Sequence, residues 1–269
     1  MMSVFANKVV VITGGSEGIG KAMVQAFLQV GAKVATCGRN YDKLYQLQST
    51  YSGQPLMIHT ADVSKDQDCE NFIQAVVKNF GTIDILINNA GISMRAMFEE
   101  VELDAIRKVM DVNFWGTVNC SKFALPYITK NNGTIVGVSS IAGFRGLPGR
   151  TGYSASKFAV NGFLESLRTE LLDSGTNVMW VCPGFTASNI RRASLNKKGE
   201  SHGETSMDEG KMMSAEDCAQ HIMKAIEKRK RTLILTFTGI RAVWLNKLFP
   251  KLADRFTRNY FFKNGKLIK

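Results

Sequence analysis

The chain has 269 residues, 45% of them hydrophobic and 21% charged, which excludes a largely disordered or fibrous protein and leaves one large domain or two small ones. The net charge of +11 comes from residues 224–269, which hold 13 basic and 2 acidic residues, whereas the rest of the chain holds 21 of each. The five cysteines are scattered without a paired motif, so the sequence predicts neither a disulfide framework nor a metal site.

Seven short runs rich in β-branched residues alternate with segments of helical periodicity along the chain. Continuous apolar strands that are linked by helices indicate a parallel sheet covered on both faces. We find no repeat or linker that divides residues 1–238, so we expect a single α/β domain there. The predicted strands are residues 8–12, 33–37, 56–59, 84–87, 134–138, 177–181 and 232–235.

A glycine-rich loop, TGGSEGIG, follows the first predicted strand and opens a helix. Glycines in this place permit a tight turn and close backbone approach, so that a pyrophosphate can bind the N–H groups of the helix N-terminus. The alternative is a glycine-rich turn without a ligand. The candidate cofactor-binding residues of this loop are Gly14, Ser16, Gly18, Ile19 and Gly20.

Arg39 stands at the end of the second strand, after Gly38, where an NAD-binding protein usually carries an acid for the ribose 2′-hydroxyl. A guanidinium there suits a 2′-phosphate and therefore predicts NADP(H). The alternative is a solvated surface arginine. Glu17 opposes this prediction unless its carboxylate points to solvent.

The segment 88–91, NNAG, follows the fourth strand, at the sheet edge where open parallel sheets bind ligands. Small residues there let a cofactor approach the backbone. The same tetrapeptide is also a common turn without any ligand.

Tyr153 and Lys157 are four residues apart in the segment YSASK and lie on one face of a predicted helix. A nearby cation lowers the pKa of a phenol and makes it a usable proton donor. Ser140, at the end of the fifth strand, can offer a hydroxyl to the substrate oxygen. Asn113 lies in a helical stretch, 104–130, and can bind a water that relays protons to Lys157. Tyrosine and lysine also occur at this spacing on helices without a catalytic role.

These motifs, in this order and spacing, resemble the short-chain dehydrogenase/reductase family. The resemblance implies a Rossmann-type, doubly wound seven-stranded sheet and a catalytic tetrad of Asn113, Ser140, Tyr153 and Lys157, with Tyr153 as general acid/base. It places Asp62 and Val63 beside the adenine. It also implies further cofactor contacts from Asn89, Ala90, Gly91, Pro183, Gly184 and either Thr186 or Ser188, besides Tyr153 and Lys157 themselves.

Two further segments extend this resemblance beyond the core motifs. Residues 38–44, with Arg39 and Lys43, and the run YSASKFA are similar to NADP-dependent lipid and steroid reductases such as 3-ketodihydrosphingosine reductases. In the family, the segment after the Pro-Gly loop covers the substrate, so residues 189–213 are the expected lid. Residues 239–269 form a basic amphipathic extension that Pro250 should split into two helices. This extension either docks on the domain, across the pocket mouth or on a neighbouring subunit, or lies on an anionic membrane surface.

We therefore expect an NADP(H)-dependent oxidoreductase that acts on a ketone or secondary alcohol, with a hydrophobic, lipid-like or steroid-like substrate. The alternatives are small carbonyl substrates, or an idle NADP-binding scaffold protein. No apolar run reaches the ~18 residues of a membrane span, and no signal peptide precedes the first strand, so we expect a cytoplasmic homo-oligomer with peripheral membrane contact at most. Nucleic-acid binding is not expected, because net charge alone supports only non-specific attraction.

Overall fold

The computed structural model describes residues 3–187, 189–201, 203 and 212–268. Its main sheet has seven parallel strands in the order β3-β2-β1-β4-β5-β6-β7. The strands are β1 (Val9–Thr13), β2 (Lys33–Gly38), β3 (Leu56–Thr60), β4 (Ile85–Asn88), β5 (Thr134–Val138), β6 (Asn177–Cys182) and β7 (Thr232–Ile234). The predicted doubly wound fold is confirmed, and each strand lies within one residue of its predicted bounds.

The helices cover both faces of this sheet. Residues of β1, β4, β5 and β6 are buried along their whole length, as expected for central strands that face a helix layer on each side. The helices described are α1 (Gly18–Gln29), α2 (Tyr41–Thr50), α3 (Asp66–Phe80), α4 (Leu103–Met110), α5 (Gly116–Lys130), α6 (Thr151–Glu170), α7 (Ala215–Glu227), α8 (Phe237–Leu248) and α9 (Pro250–Phe261).

A hydrophobic cluster lies between the sheet and the helices on each of its two faces. Buried residues of α1 and α7 pack on one face of the sheet, and Phe27, which is fully buried, belongs to this cluster. Buried residues of α3, α5 and α6 pack on the other face, with Phe72 among them. The strand order reverses between β1 and β4, so the crevice at their carboxyl ends is the place where this fold binds ligands.

The predicted helical stretch 104–130 is interrupted by a π-helical turn, Asp111–Trp115. The hydroxyl of Thr117 donates to the carbonyl of Asn113 at 2.8 Å and so satisfies a main-chain oxygen of this turn. π-helical turns of this kind often occur at functional sites, and this one carries the predicted tetrad residue Asn113.

The C-terminal extension packs on the domain. Pro250 is the first residue of α9, so the predicted split into two helices is confirmed. Asn246 donates to the carbonyl of Phe144 at 3.0 Å and accepts from Arg145 at 2.8 Å. An antiparallel hairpin, β8 (Phe262–Lys263) and β9 (Lys266–Leu267), follows α9, where the sequence patterns predict no strands. None of the helices in the described part of the chain is long and apolar enough to cross a membrane.

Candidate active site

A cavity of about 1060 Å³ opens at the carboxyl ends of the strands. Its volume is sufficient for a dinucleotide together with part of a substrate. The predicted site residues that line it are Gly14, Ser16, Gly18, Ile19, Gly20, Arg39, Asp62, Val63, Asn89, Ala90, Gly91, Ser140, Tyr153, Lys157, Pro183, Gly184 and Thr186. Asn113 lies behind this wall, and Ser188 falls outside the described residues.

Tyr153, Ser140 and Lys157 meet in the middle of the cavity wall. The side chain of Ser140 hydrogen-bonds the phenol of Tyr153, whereas the neighbouring Ser139 is buried and faces the carbonyl of Lys157. Lys157 follows Tyr153 by one turn of α6, and its Nζ lies 5.7 Å from the centre of the tyrosine ring. The same Nζ donates to the carbonyl of Val138 at 2.8 Å, which fixes the ammonium beside the end of β5.

Burial is the largest influence on the pKa values of Tyr153 and Lys157. It raises the pKa of Tyr153, although the Ser140 hydrogen bond and the charge of Arg150 both act to lower it. Burial also lowers the pKa of Lys157 to about 8. The expectation of a depressed phenol pKa is therefore wrong for the protein alone, because removal from water outweighs the nearby positive charge.

The side-chain amide of Asn113 hydrogen-bonds the loop after β4 and holds it in place. Its Oδ1 accepts from the main-chain N–H of Ile92 at 2.8 Å, and its Nδ2 donates to the Ile92 carbonyl at 2.9 Å and to Ser156 Oγ at 2.9 Å. One lone pair of Oδ1 remains. A Cβ on Gly91 would lie 3.2 Å from Asn113 Oδ1 and 3.5 Å from Lys157 Nζ. Glycine at this position therefore leaves the space between Asn113 and Lys157 open. The relay of protons through a water stays a prediction.

The glycine-rich loop is held by the segment 88–91. The hydroxyl of Thr13 accepts from the main-chain N–H groups of Asn89 and Ala90 at 3.0 and 2.9 Å, and Asn89 Nδ2 donates to the carbonyls of Thr13 and Gly14. Gly14 has φ of +69°, and a Cβ there would come within 3.0 Å of the Ala90 backbone. The loop therefore presents backbone rather than side chains to the cavity, which fits a pyrophosphate at the N-terminus of α1.

Arg39 is exposed at the end of β2 and makes no hydrogen bond or ion pair with the described residues. No carboxylate stands at the end of β2: Gly38 is its last residue, with Ser16 Oγ 3.5 Å from where its Cβ would be, and Arg39 follows. Glu17 pairs with Lys43 at 2.6 Å, so its charge is offset.

The remaining cofactor candidates lie at the two ends of the cavity. At the β3 end, Asp62 accepts from Ser64 Oγ at 2.8 Å and its own N–H donates to Asp68, so its carboxylate is held in place next to Val63. At the β6 end, Thr186 is buried and its carbonyl accepts from Arg191 at 3.0 Å. Thr186 therefore lines the cavity. Which of Thr186 and Ser188 contacts the cofactor stays a prediction.

The sequence patterns did not identify two groups of cavity residues. The first is a set of arginines beside Tyr153, of which Arg150 could have been found because it precedes Tyr153 by three residues, one helical turn. The second comes from the C-terminal extension: docking across the pocket mouth was one of the alternatives for it, but which of its residues face the cavity depends on tertiary packing. The cavity residues of that extension are Gly239, Ala242, Leu245, Ala253, Phe256, Thr257, Tyr260 and Phe261.

Residues 8–199 match the family model described as short chain dehydrogenase. The chain is 35% identical over 260 residues to dehydrogenase/reductase SDR family member 7B of Rattus norvegicus, an alignment that covers 93% of this chain and 80% of that protein. It is 38% identical over 239 residues to 11-beta-hydroxysteroid dehydrogenase-like 6 of Arabidopsis thaliana, which covers 85% of this chain and 70% of that protein.

The fold is also similar to a crystal structure of a short chain dehydrogenase/reductase from Burkholderia phymatum in complex with NAD. That similarity has a TM-score of 0.83 at 24% sequence identity and covers 93% of this chain and 96% of that one. The family model spans most of the chain, and the relatives exceed 30% identity over most of their own length. The chain therefore belongs to the short-chain dehydrogenase/reductase family, whose members are oxidoreductases that bind a nicotinamide cofactor.

Proposed function

We propose that this protein is an NADP(H)-dependent oxidoreductase that interconverts a hydrophobic ketone and its secondary alcohol. The observation that carries the proposal is the arrangement of Tyr153, Ser140 and Lys157 in the wall of one cavity that also contains the glycine-rich loop and Arg39. A scaffold protein that only binds the cofactor has no use for a buried, hydrogen-bonded tyrosine with an ammonium one turn away.

The roles of the chain's residues follow from their contacts. A bound nicotinamide supplies or accepts hydride at its C4 atom. Tyr153 gives its phenolic proton to the carbonyl oxygen during reduction and takes one back during oxidation. Ser140, which hydrogen-bonds the phenol, can bind the same oxygen and fix its position. Lys157, held by the Val138 carbonyl, would bind the ribose hydroxyls and carries the positive charge that stabilises a phenolate.

The preference for NADP(H) rests on the end of β2. Arg39 has no side-chain partner among the described residues and lines the cavity, so an uncompensated cation is available there for a ribose 2′-phosphate. Glu17, which lines the same end of the cavity, pairs with Lys43, so these two charges offset each other. We expect the protein to discriminate against NADH because an unneutralised Arg39 gains a charge-assisted hydrogen bond only from the phosphate.

A hydrophobic substrate is favoured by the residues that the C-terminal extension adds to the cavity. Leu245, Phe256 and Phe261 line it, and the ring of Tyr260 stacks on Phe185 at 6.4 Å between centres. The described part of the predicted lid, 189–213, adds Asn189, Ile190 and Arg191 to the same wall, which supports its role as the substrate cover.

The outer face of the extension supports contact with a membrane surface. Along α8, Phe237, Ile240, Trp244 and Leu248 share one stripe and are all exposed, although α8 also faces the cavity with Leu245. Arg241 and Lys247 lie over the rings of Phe237 and Trp244. An exposed apolar stripe with basic residues beside it is typical of helices that lie on anionic lipid. We propose a peripheral protein on this basis.

We also propose a homo-oligomer, as the family commonly forms. Trp115, in the π-helical turn before α5, and Phe158, on α6, are exposed large apolar residues outside the extension. Light scattering coupled to size exclusion would give the number of subunits.

Oxidation of NADPH in the presence of a carbonyl panel tests the proposed function. The panel contains steroid ketones, long-chain ketones and small carbonyls, each assayed with NADPH and NADH. We expect turnover with long-chain or polycyclic ketones and with NADPH over NADH. Cofactor binding without turnover across the panel would favour the scaffold alternative.

A further inference from the structure

The charges along the cavity wall are unevenly distributed. Among its described residues, the acids are Glu17 and Asp62, and both lie at the cofactor end, after β1 and β3. The half that contains Tyr153 has arginines and no described acid in its lining: Arg145, Arg150 and Arg191. A region of one charge sign beside the reacting tyrosine raises the local concentration of ligands of the opposite sign.

These three arginines differ in what they contact. Arg145 is held by Asp254 at 2.6 Å and by Asn246, so its charge is already compensated. Arg191 donates to the carbonyl of Thr186. The side chain of Arg150 makes no hydrogen bond or ion pair with any residue that the structure describes, and its Nε is buried and donates no hydrogen bond, as is also the case for the Nε atoms of Arg145 and Arg191. A buried donor on a cation normally has an acceptor, so an acceptor for Arg150 is expected from a ligand.

The surroundings of Arg150 point the same way. The described groups that act on its charge are Tyr153, Tyr260 and two further arginines, Arg191 and Arg95, with no carboxylate among them. Burial and these two like charges lower the pKa of Arg150. An arginine in such a place stays charged at neutral pH because its ordinary pKa is above 12. Within the part of the chain that the structure describes, this cation therefore has no neutralising acid beside it.

The position of Arg150 relative to Tyr153 sets where an anion would bind. Arg150 immediately precedes α6, and its carbonyl accepts the N–H of Ser154 at 2.8 Å as the helix begins. Tyr153 follows one turn later, and the charge of Arg150 acts on its phenol. Because Arg150 and Tyr153 are three residues apart and line the same cavity, an oxyanion on Arg150 would lie a few bonds from a carbonyl on Tyr153. The apolar residues of the extension would receive the rest of the molecule.

We propose that Arg150 binds an anionic group, a carboxylate or a phosphate, that the substrate carries a few bonds from its reacting carbonyl. The substrate is then an anionic amphiphile rather than a neutral ketone. This inference rests on the proposed function and deepens it. The competing hypothesis is that Arg150 only assists proton transfer by Tyr153. Substitution of Arg150 would then reduce kcat/KM equally for charged and neutral substrates.

Matched substrate pairs separate these roles. One pair is a long-chain γ-keto acid and its methyl ester, and the other is a long-chain α-phosphooxy ketone and its dephosphorylated parent. For at least one pair, we expect the wild-type kcat/KM to favour the anion at least tenfold, and Arg150→Gln to reduce that preference to below about threefold. The pair that shows the preference distinguishes carboxylate from phosphate. Arg150→Lys should retain part of it.

Exposed Arg107, which pairs with Asp104 outside the cavity, supplies the control variant Arg107→Gln, and it should leave both ratios unchanged. Equal losses of kcat/KM for both members of each pair in Arg150→Gln, or no preference in the wild type, would overturn the inference while leaving the oxidoreductase proposal intact.

A binding measurement keeps the inference testable if no substrate turns over. Calorimetric titration with decanoate and with decan-1-ol compares an anion with a neutral chain of the same length, and decyl phosphate adds the phosphate case. We expect at least one anion to bind wild type at least fivefold more tightly than the alcohol, and Arg150→Gln to lose that difference with an unchanged melting temperature. Equal binding of all three ligands would refute an anion site at Arg150.

Discussion

Arg145 and Asp254 form an ion pair of 2.6 Å that joins the loop after β5 to helix α9. Arg145 also donates to Asn246 of α8, so one guanidinium contacts both helices of the C-terminal extension. Both Arg145 and the inner faces of these helices line the active-site cavity. The extension is therefore part of the substrate site, and its docking determines the shape of that site.

Breaking this ion pair should affect large substrates selectively. We expect Asp254→Asn to raise KM for a long-chain ketone severalfold and to leave KM for a small ketone unchanged, because only the longer molecule reaches α9. The free energy of unfolding should change by less than about 1 kcal/mol, since the carboxylate is largely exposed. Asp104→Asn, which breaks an exposed pair elsewhere, is the control. An equal rise of KM for both ketones would contradict this account.

Cofactor preference should change when Arg39 changes. Arg39→Asp removes the cation that can bind a 2′-phosphate and adds an acid that can bind a 2′-hydroxyl. We expect kcat/KM for NADPH to fall at least tenfold and kcat/KM for NADH to rise relative to it, whereas Arg39→Gln should only reduce the NADPH value. Initial rates with both cofactors give these ratios. Equal use of NADH and NADPH by the wild type would remove the basis of the prediction.

Association with lipid should depend on the exposed stripe of the extension. We expect a triple variant, Trp244→Ser, Leu248→Ser and Phe249→Ser, to lose co-sedimentation with anionic liposomes, because these side chains are exposed and lie outside the cavity. A variant with Phe98→Ser and Leu172→Ser removes equally exposed apolar groups elsewhere and should sediment like the wild type. Absence of wild-type binding to liposomes would refute peripheral membrane contact.

The buried Lys157 should give the stability of the cofactor-free protein a specific pH dependence. Its pKa is lowered from 10.5 to about 8 in the fold, so between these values the unfolded chain holds a proton that the folded chain has lost. Stability attributable to this group therefore rises with pH across that window, by at most about 3 kcal/mol.

Comparison with a variant isolates the contribution of Lys157. Lys157→Met lacks the titrating group, so the difference in unfolding free energy between wild type and variant should increase from pH 8 to pH 10.5 in urea denaturation. Titration of the buried cysteines is common to both proteins and cancels. Parallel pH profiles for the two proteins would show that Lys157 is not desolvated as described.

The sequence was sufficient for the sheet and for most of the cavity wall. Buried strands have short apolar runs with β-branched residues, and their carboxyl ends carry the loops that bind ligands, so local patterns predicted both. Gly14, Asn89 and Tyr153 could be placed in one cavity for this reason. Their mutual contacts, such as the two carbonyls that Asn89 binds, depend on atoms distant in the chain and were not foreseeable.

Other features depend on tertiary packing that periodicity does not encode. The pattern of α8 and α9 predicted amphipathic helices and left open whether they dock across the pocket mouth, and the structure shows that Leu245 and Phe256 line the cavity. The hairpin after α9 was missed because its two-residue strands are too short to show alternation. The sequence patterns predicted a lowered pKa for Tyr153, whereas burial raises it in the protein alone. A sequence shows the neighbouring charges but not how completely the phenol is removed from water.

Turnover by Tyr153→Phe is the most direct test of the proposed chemistry. The substitution removes the hydroxyl that hydrogen-bonds Ser140 and leaves the packing of the ring. With the best ketone from the panel, we predict that kcat falls at least about a hundredfold while the melting temperature and the dissociation constant for NADPH stay near their wild-type values. A variant that folds, binds NADPH and reduces the ketone at a near-normal rate would contradict the assignment of Tyr153 as the general acid.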